Sequence, residues 1–369
     1  MSEAPPARDK RGTRTGFTTG ACAAAAAKAA TRVLVRGERL THVETTLPNR
    51  QQVTFELHRC EWDGEKARCG IIKDAGDDPD CTHGAELIAE VRLTDDGRVV
   101  LERGEGVGIV TKDGLGLEVG SPAINPVPRR NITEMVLEEL PEGRGAIVTI
   151  HVPRGEEMAL QTLNARLGIL GGISILGTSG IVRPYSTAAY KASVVQAIDV
   201  ARARGHTELA FTTGGKSEKY AMGLLPHLAE ECFIQVGDFI GVAIRHAARK
   251  QAARVHVVGM MGKLSKMADG RMQTHAAGSE VNMELLASLA AEAGAPETLV
   301  ADIRTANTAR HVLELCAANG LTHITGLVCQ RVVEQCTRHA GGPLEVRATL
   351  VDFNGTLLGQ YPDERRNAA

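Results

Sequence analysis

Two rhythms alternate along the second half of the chain. Apolar residues recur every third or fourth position over residues 187–204, 218–230 and 239–250, and short, largely apolar runs separate these segments at 208–213, 233–236 and 254–260. Helix and strand in turn are the signature of βαβ units around a mostly parallel sheet. Further helices are predicted at 279–293, 308–319 and 321–339, before a closing strand at 344–352. The first half reads differently. A Thr/Gly turn, TGFTTG, feeds an alanine-rich helix that Gly37 stops, with Thr18 or Thr19 as its cap. Strand patterns follow at 43–47, 52–57, 67–73, 98–102 and 146–153, with one short helix predicted at 86–91. The expected architecture is therefore α/β in two domains. An α+β domain over 15–150 follows a proline-bearing tail, 1–14, expected to be disordered, and a mostly parallel α/β domain with a helical C-terminal part occupies 151–369.

Composition narrows the function classes. With 369 residues, 43% hydrophobic and 23% charged, the chain can build two cores, and its formal charge of −2 offers no basic face for nucleic acid. Aromatic residues are 3% of the chain, with Trp62 the single tryptophan, so flat ligands must be held mainly by backbone and aliphatic groups. The eight cysteines form no C-x-x-C pair; they read as reduced thiols of a cytoplasmic protein. No run approaches the roughly 20 apolar residues that span a bilayer, and no membrane association is expected.

Several segments carry candidate chemistry. In GGISILGTSGIVRPYS, residues 171–186, paired and spaced glycines flank an apolar run that ends in Arg183, a pattern that suits either close approach of a ligand or close packing of the chain itself. GGKS places Gly214, Gly215, Lys216 and Ser217 at a strand-to-helix junction, where free amides favour an anion. It is no Walker loop, because position 210 is Ala210. After the strand at 254–260 come Gly262, Lys263, Lys266, Arg271 and His275, either an anion clamp or a solvated helix face. IIKDAGDDPDCTHG brings Asp74, Asp77, Asp78, Asp80 and His83 onto one loop, to hold ammonium and hydroxyl groups or to cap the next element. The Gly- and Pro-rich stretch at 106–132 ends in Arg129 and Arg130, which suit carboxylates or are surface charge.

Together RTGFTTGACAAAAAKAA, IIKDAGDDPDCTHG, GVGIVTKDGLGLEVGSPAINPVPRRNI, TLNARLGILGGISILGTSGIVRPYS and VGMMGKLSKMADGRMQTH resemble the cobalt-precorrin-5B C1-methyltransferase family of cobalamin biosynthesis. TTGGKSEKYA departs from the asparagine- and glycine-containing turn expected of that family. The resemblance implies methyl transfer from S-adenosylmethionine to C1 of a cobalt-containing tetrapyrrole, yielding cobalt-precorrin-6A, with no resident metal. On that reading Thr18, Thr19, Asp77, Asp78, Gly171, Gly172, Gly177, Thr178 and Gly180 are cofactor candidates. Arg129, Arg130, Arg183, Gly214, Gly215, Lys216, Lys263 and Lys266 are substrate candidates, and Asp74 or His83 would accept a proton. Alternatives are a methyltransferase for the metal-free precorrin, a small-molecule kinase or nucleotide-binding enzyme, and a corrinoid carrier. Self-association stays open.

Overall fold

The computed structural model describes residues 12–275 and 279–363. The chain divides into two compact units, the first ending at Thr187 and the second beginning at Ala188. The expected change near residue 150 falls inside a strand of the first sheet, which that strand could not leave without exposing Val148 and Ile150.

In the first unit the order is β1 (Gly16–Phe17), α1 (Thr19–Arg36), β2 (His42–Thr46), β3 (Gln52–Glu56), β4 (Arg59–Trp62), β5 (Lys66–Ile72), β6 (Glu86–Thr94), β7 (Val99–Arg103), β8 (Ile109–Val110), α2 (Pro126–Leu137), β9 (Gly145–His151), α3 (Gly155–Ala159), β10 (Ile169–Leu170) and β11 (Ile181–Val182). A five-stranded sheet in the order β4-β5-β6-β9-β7 is antiparallel except between β7 and β9. The alanines of α1 let it lie closely on this sheet and on α2: Ala21, Ala23–Ala27, Ala29 and Ala30 are buried. Thr18 caps the helix, its hydroxyl accepting from the Ala21 amide at 3.1 Å, and Gly37 closes it with φ 67°, a conformation that costs glycine little. The helix predicted at 86–91 is strand β6. Its sequence suits either state, and pairing to β5 on one edge and β9 on the other decides for the sheet.

The second unit comprises α4 (Thr187–Ala203), β12 (Glu208–Thr212), α5 (Gly215–Leu224), β13 (Phe233–Gln235), α6 (Ile240–Arg249), β14 (Arg254–Gly259), α7 (Met261–Ala268), α8 (Met283–Glu292), α9 (Glu297–Arg304), α10 (Ala309–Ala318), α11 (Ile324–Ala340), β15 (Glu345–Val351) and β16 (Leu357–Tyr361). Its sheet runs β13-β12-β14-β15-β16, parallel but for the last strand. Alternation along β12 divides the faces: Leu209 and Phe211 join the large core with α4, α6 and α11, while Ala210 packs with Ala221 of α5. From β12 the chain moves outward to β13 and then returns across to β14, so the strand order reverses between β12 and β14. A crevice at the carboxyl ends of those strands is where open α/β sheets accommodate ligands.

Candidate functional site

At that reversal lies a cavity of about 1310 Å³. Gly214, Gly215 and Lys216 reach it from the start of α5, Gly262, Lys263 and Lys266 from α7, and Asp238 from the turn between β13 and α6. Neither helix has a side-chain cap at its N-terminus, which leaves first-turn amides for an anion. Lys263 crosses the cavity floor, its ammonium donating to the Thr213 carbonyl at 2.9 Å and pairing with Asp238 Oδ1 at 3.1 Å. Thr274 Oγ1 donates to the same carboxylate at 3.0 Å. Burial works to raise the Asp238 pKa, but Lys263 and Thr274 outweigh it and hold the carboxyl below its ordinary value. Lys266 is buried and donates to the Thr274 carbonyl at 3.1 Å, so it braces the wall and does not project as a free cation. The opposite wall is apolar, formed by Leu313, Leu321, Ile324, Val351 and Leu357. Phe353, half-exposed at the rim, has the Lys216 ammonium 5.7 Å and the Arg310 guanidinium 5.6 Å from its ring centre.

The glycines of the two regions do different things. A Cβ built on Gly214 or Gly262 would meet nothing within 4 Å, so both border open space. In the first unit a Cβ on Gly172 would lie 2.2 Å from the Gly106 carbonyl oxygen, and one on Gly177 would lie 2.5 Å from the Thr18 side chain. Gly171, Gly172, Gly177 and Gly180 all have positive φ, and the last would press Leu47 and Pro48. This run packs the chain against itself. Thr19 takes part in the same seam, its hydroxyl accepting from the Leu176 amide at 2.9 Å. Thr178 lies within this run, between Gly177 and Ser179.

The acidic loop is a clasp. Asp77 accepts from the Arg14 amide at 2.7 Å while its own amide donates back to the Arg14 carbonyl at 2.9 Å. Arg14 also pairs with Asp74, whose Oδ1 accepts from the Gly76 amide at 2.9 Å. Arg14, assigned from sequence to a disordered tail, is thus tied into the unit, since these carboxylates supply its partners; residues 1–11 of that expectation lie outside the described residues. Asp78 accepts from the Tyr185 amide at 3.0 Å. Asp80 accepts from the wholly buried Lys73 at 2.6 Å and from the Thr82 amide at 2.7 Å. Burial pushes the Asp74 pKa up, but Arg14 and the Gly76 amide hold the carboxyl below its usual value, which makes Asp74 a weak proton acceptor. His83 Nδ1 accepts from the Ala75 amide at 3.1 Å.

The substrate candidates therefore divide. Gly214, Gly215, Lys216, Lys263 and Lys266 converge on one cavity, whereas Arg129, Arg130 and Arg183 belong to the first unit. Arg129 and Arg130 lie on α2, a helix that begins at Pro126 inside a stretch read as loop. Arg130 reaches Glu134 at 4.0 Å, and Arg183 is exposed. Sequence reasoning did not single out Asp238, Thr274, Arg310 or Phe353. The strand-end rule would have found Asp238, two residues past the strand forecast at 233–236, and Phe353, one residue past the strand forecast at 344–352.

All eight cysteines are free thiols. Among the described residues no helix is long and apolar enough to cross a membrane.

Known proteins resemble the chain over most of its length. Residues 6–184 match the family model described as CbiD, and residues 273–362 match the one described as CbiD, C-terminal domain. A cobalt-precorrin-5B C(1)-methyltransferase of Leptospira borgpetersenii serovar Hardjo-bovis is 57% identical over 350 residues, covering 94% of this chain and 95% of that protein. The protein of the same name from Thermus thermophilus is 53% identical, with 97% of each chain covered. A crystal structure of a cobalamin biosynthesis protein (cbiD) from Archaeoglobus fulgidus is 28% identical and covers 70% of this chain and 82% of that one, at a TM-score of 0.38. With relatives of this identity aligned over nearly the whole length of both chains, the protein belongs to the CbiD family.

Proposed function

We propose that the protein is a methyltransferase that methylates C1 of cobalt-precorrin-5B, with S-adenosylmethionine as donor. The observation that carries this reading is the 57% identity, over 94% of the chain, to a relative bearing that activity as its name. We place the donor in the crevice of the second unit and not along the 171–180 glycine run, because Gly214 and Gly262 border open space while Gly172 and Gly177 are filled by the chain itself.

The residues present suit the donor. The apolar wall of Leu313, Leu321 and Ile324 matches an adenine ring, and the uncapped starts of α5 and α7, with Lys216, match a carboxylate. When bound, S-adenosylmethionine supplies an electrophilic methyl group on a sulfonium. Carbon nucleophilicity comes from the conjugated macrocycle, so the protein's task is alignment, and such pre-organisation is worth about 7–11 kcal/mol of barrier. Asp238 and Thr274 fix Lys263 at the cavity floor for that purpose. On this reading Thr18, Thr19, Asp74, Asp77, Asp78 and His83 order the first unit.

Calorimetric titration with S-adenosylhomocysteine tests the placement. Gly262→Val should fold normally, since its side chain enters open space, yet bind at least about tenfold more weakly, as expected when a bulky group fills a ligand's volume. Undiminished binding by Gly262→Val would move the donor elsewhere. Saturable binding of ATP with magnesium in place of the homocysteine analogue would instead support a kinase, the reading that GGKS suggested.

A further inference from the structure

Sharing no lining residue with the crevice, the second unit has a groove between α6 and α11 made of two adjoining hollows of about 570 and 390 Å³. Arg245, Arg249, Met272 and His339 line both hollows, and Arg338 and Gln335 complete the first. No aspartate or glutamate lines either one.

That absence sets these arginines apart from others in the unit. Arg204 pairs with Glu231, Arg254 and Arg347 with Glu345, Arg304 with Glu284, Arg310 with Glu314, Arg331 with Glu334 and Arg271 with Asp269. In the groove Arg338 donates to Gln335 at 3.0 Å and Arg249 to His246 Nδ1 at 2.5 Å, neither of them a carboxylate. His246 in turn holds Asp199 through Nε2 at 2.7 Å, and Lys250 pairs with the same carboxylate at 3.0 Å, so the nearby acid is already engaged. The helix dipole explains cations in the last turns of α6 and α11, where Arg249, Arg338 and His339 lie. It does not explain Arg245, which stands outside the last turn of α6 and lines the same concavity. Three guanidiniums converging on one hollow without a counter-charge focus a positive potential there, and planar guanidinium forks match carboxylate and phosphate oxygens in pairs.

We propose that the α6/α11 groove is a binding site for a multivalent oxyanion, a ligand bearing two or more carboxylate or phosphate groups. Such a ligand is either a free small anion or the carboxylate arms of a tetrapyrrole; the chemistry of recognition is the same, and the groove stands independently of where the methyl donor binds.

Titration calorimetry on the full chain decides it, with three probes used separately: citrate, tripolyphosphate and a cobalt corrinoid with free carboxylate arms. Saturable binding of at least one probe is expected, weakened by added salt and at least about tenfold weaker in the double variant Arg245→Gln/Arg338→Gln. Both side chains are exposed, so the double variant should keep the parent's thermal midpoint. It should also bind S-adenosylhomocysteine as the parent does, while Lys263→Met should leave binding in the groove intact. Binding of the corrinoid alone assigns the groove to the macrocycle, and binding of citrate or tripolyphosphate as well assigns it to a free anion. No saturable binding of any probe, or binding equal in parent and double variant, overturns the proposal.

Discussion

Lys73 is the largest wholly buried side chain of the first unit, and its ammonium lies 2.6 Å from Asp80. Asp80→Asn would keep an oxygen for the Thr82 amide but set a neutral amide against a cation that water cannot reach. Removing one partner of a buried pair costs about 3–5 kcal/mol, because the other charge is left uncompensated. At about 2–4 °C per kcal/mol for a unit of this size, the melting midpoint should fall by roughly 6–20 °C. Trp62, the chain's single tryptophan, lies on β4, so its fluorescence reports unfolding of the first unit by itself. The double variant Lys73→Met/Asp80→Asn removes both charges and should recover most of the loss, since an apolar replacement of a buried pair is often neutral or stabilising. If Asp80→Asn melts within about 2 °C of the parent, or the double variant melts as low as the single one, the desolvation argument fails.

Other outcomes follow from the same geometry. The Asp74 and Asp80 carboxyls sit below their ordinary values, burial opposing and Arg14 and Lys73 prevailing, so their stabilisation is full above about pH 4 and is lost as pH falls through the folded pKa values; Trp62 melts between neutral and acid pH should be flat and then drop. Thr18→Ala should destabilise the first unit by about 1 kcal/mol through loss of the cap, and Thr18→Ser should restore it, as read by urea unfolding. Gly177→Ala should cost about 1–3 kcal/mol, because φ 131° and the Thr18 side chain both resist a methyl group, while its effect on S-adenosylhomocysteine affinity should be small once the variant is folded. Burial pushes the Cys22, Cys329 and Cys336 thiols up to about 12, so native-state alkylation should spare them and reach Cys60 and Cys81 first.

Local physics made much of this molecule legible in its sequence. Thr18, the alanine run and Gly37 fix the start, packing face and end of α1 without reference to any other part of the chain, because a cap, small side chains and a left-handed glycine act within a few residues. Short apolar runs between helical segments likewise mark β12, β13 and β14 and, through the mostly parallel sheet they imply, the carboxyl end of the strands where a ligand fits. What local pattern could not supply is the identity of each residue's neighbour. Residues 86–91 carry both helical and strand character, and only two flanking strands make them β6. Gly177 and Gly262 look alike in sequence, yet one is filled by Thr18 and the other faces open space. Asp77 has the chemistry to hold a ligand's ammonium, and the fold gives it Arg14 instead. Glycines and carboxylates carry no long-range address of their own. Their roles are assigned when distant segments close over them, and that closure is decided by the packing of the whole unit.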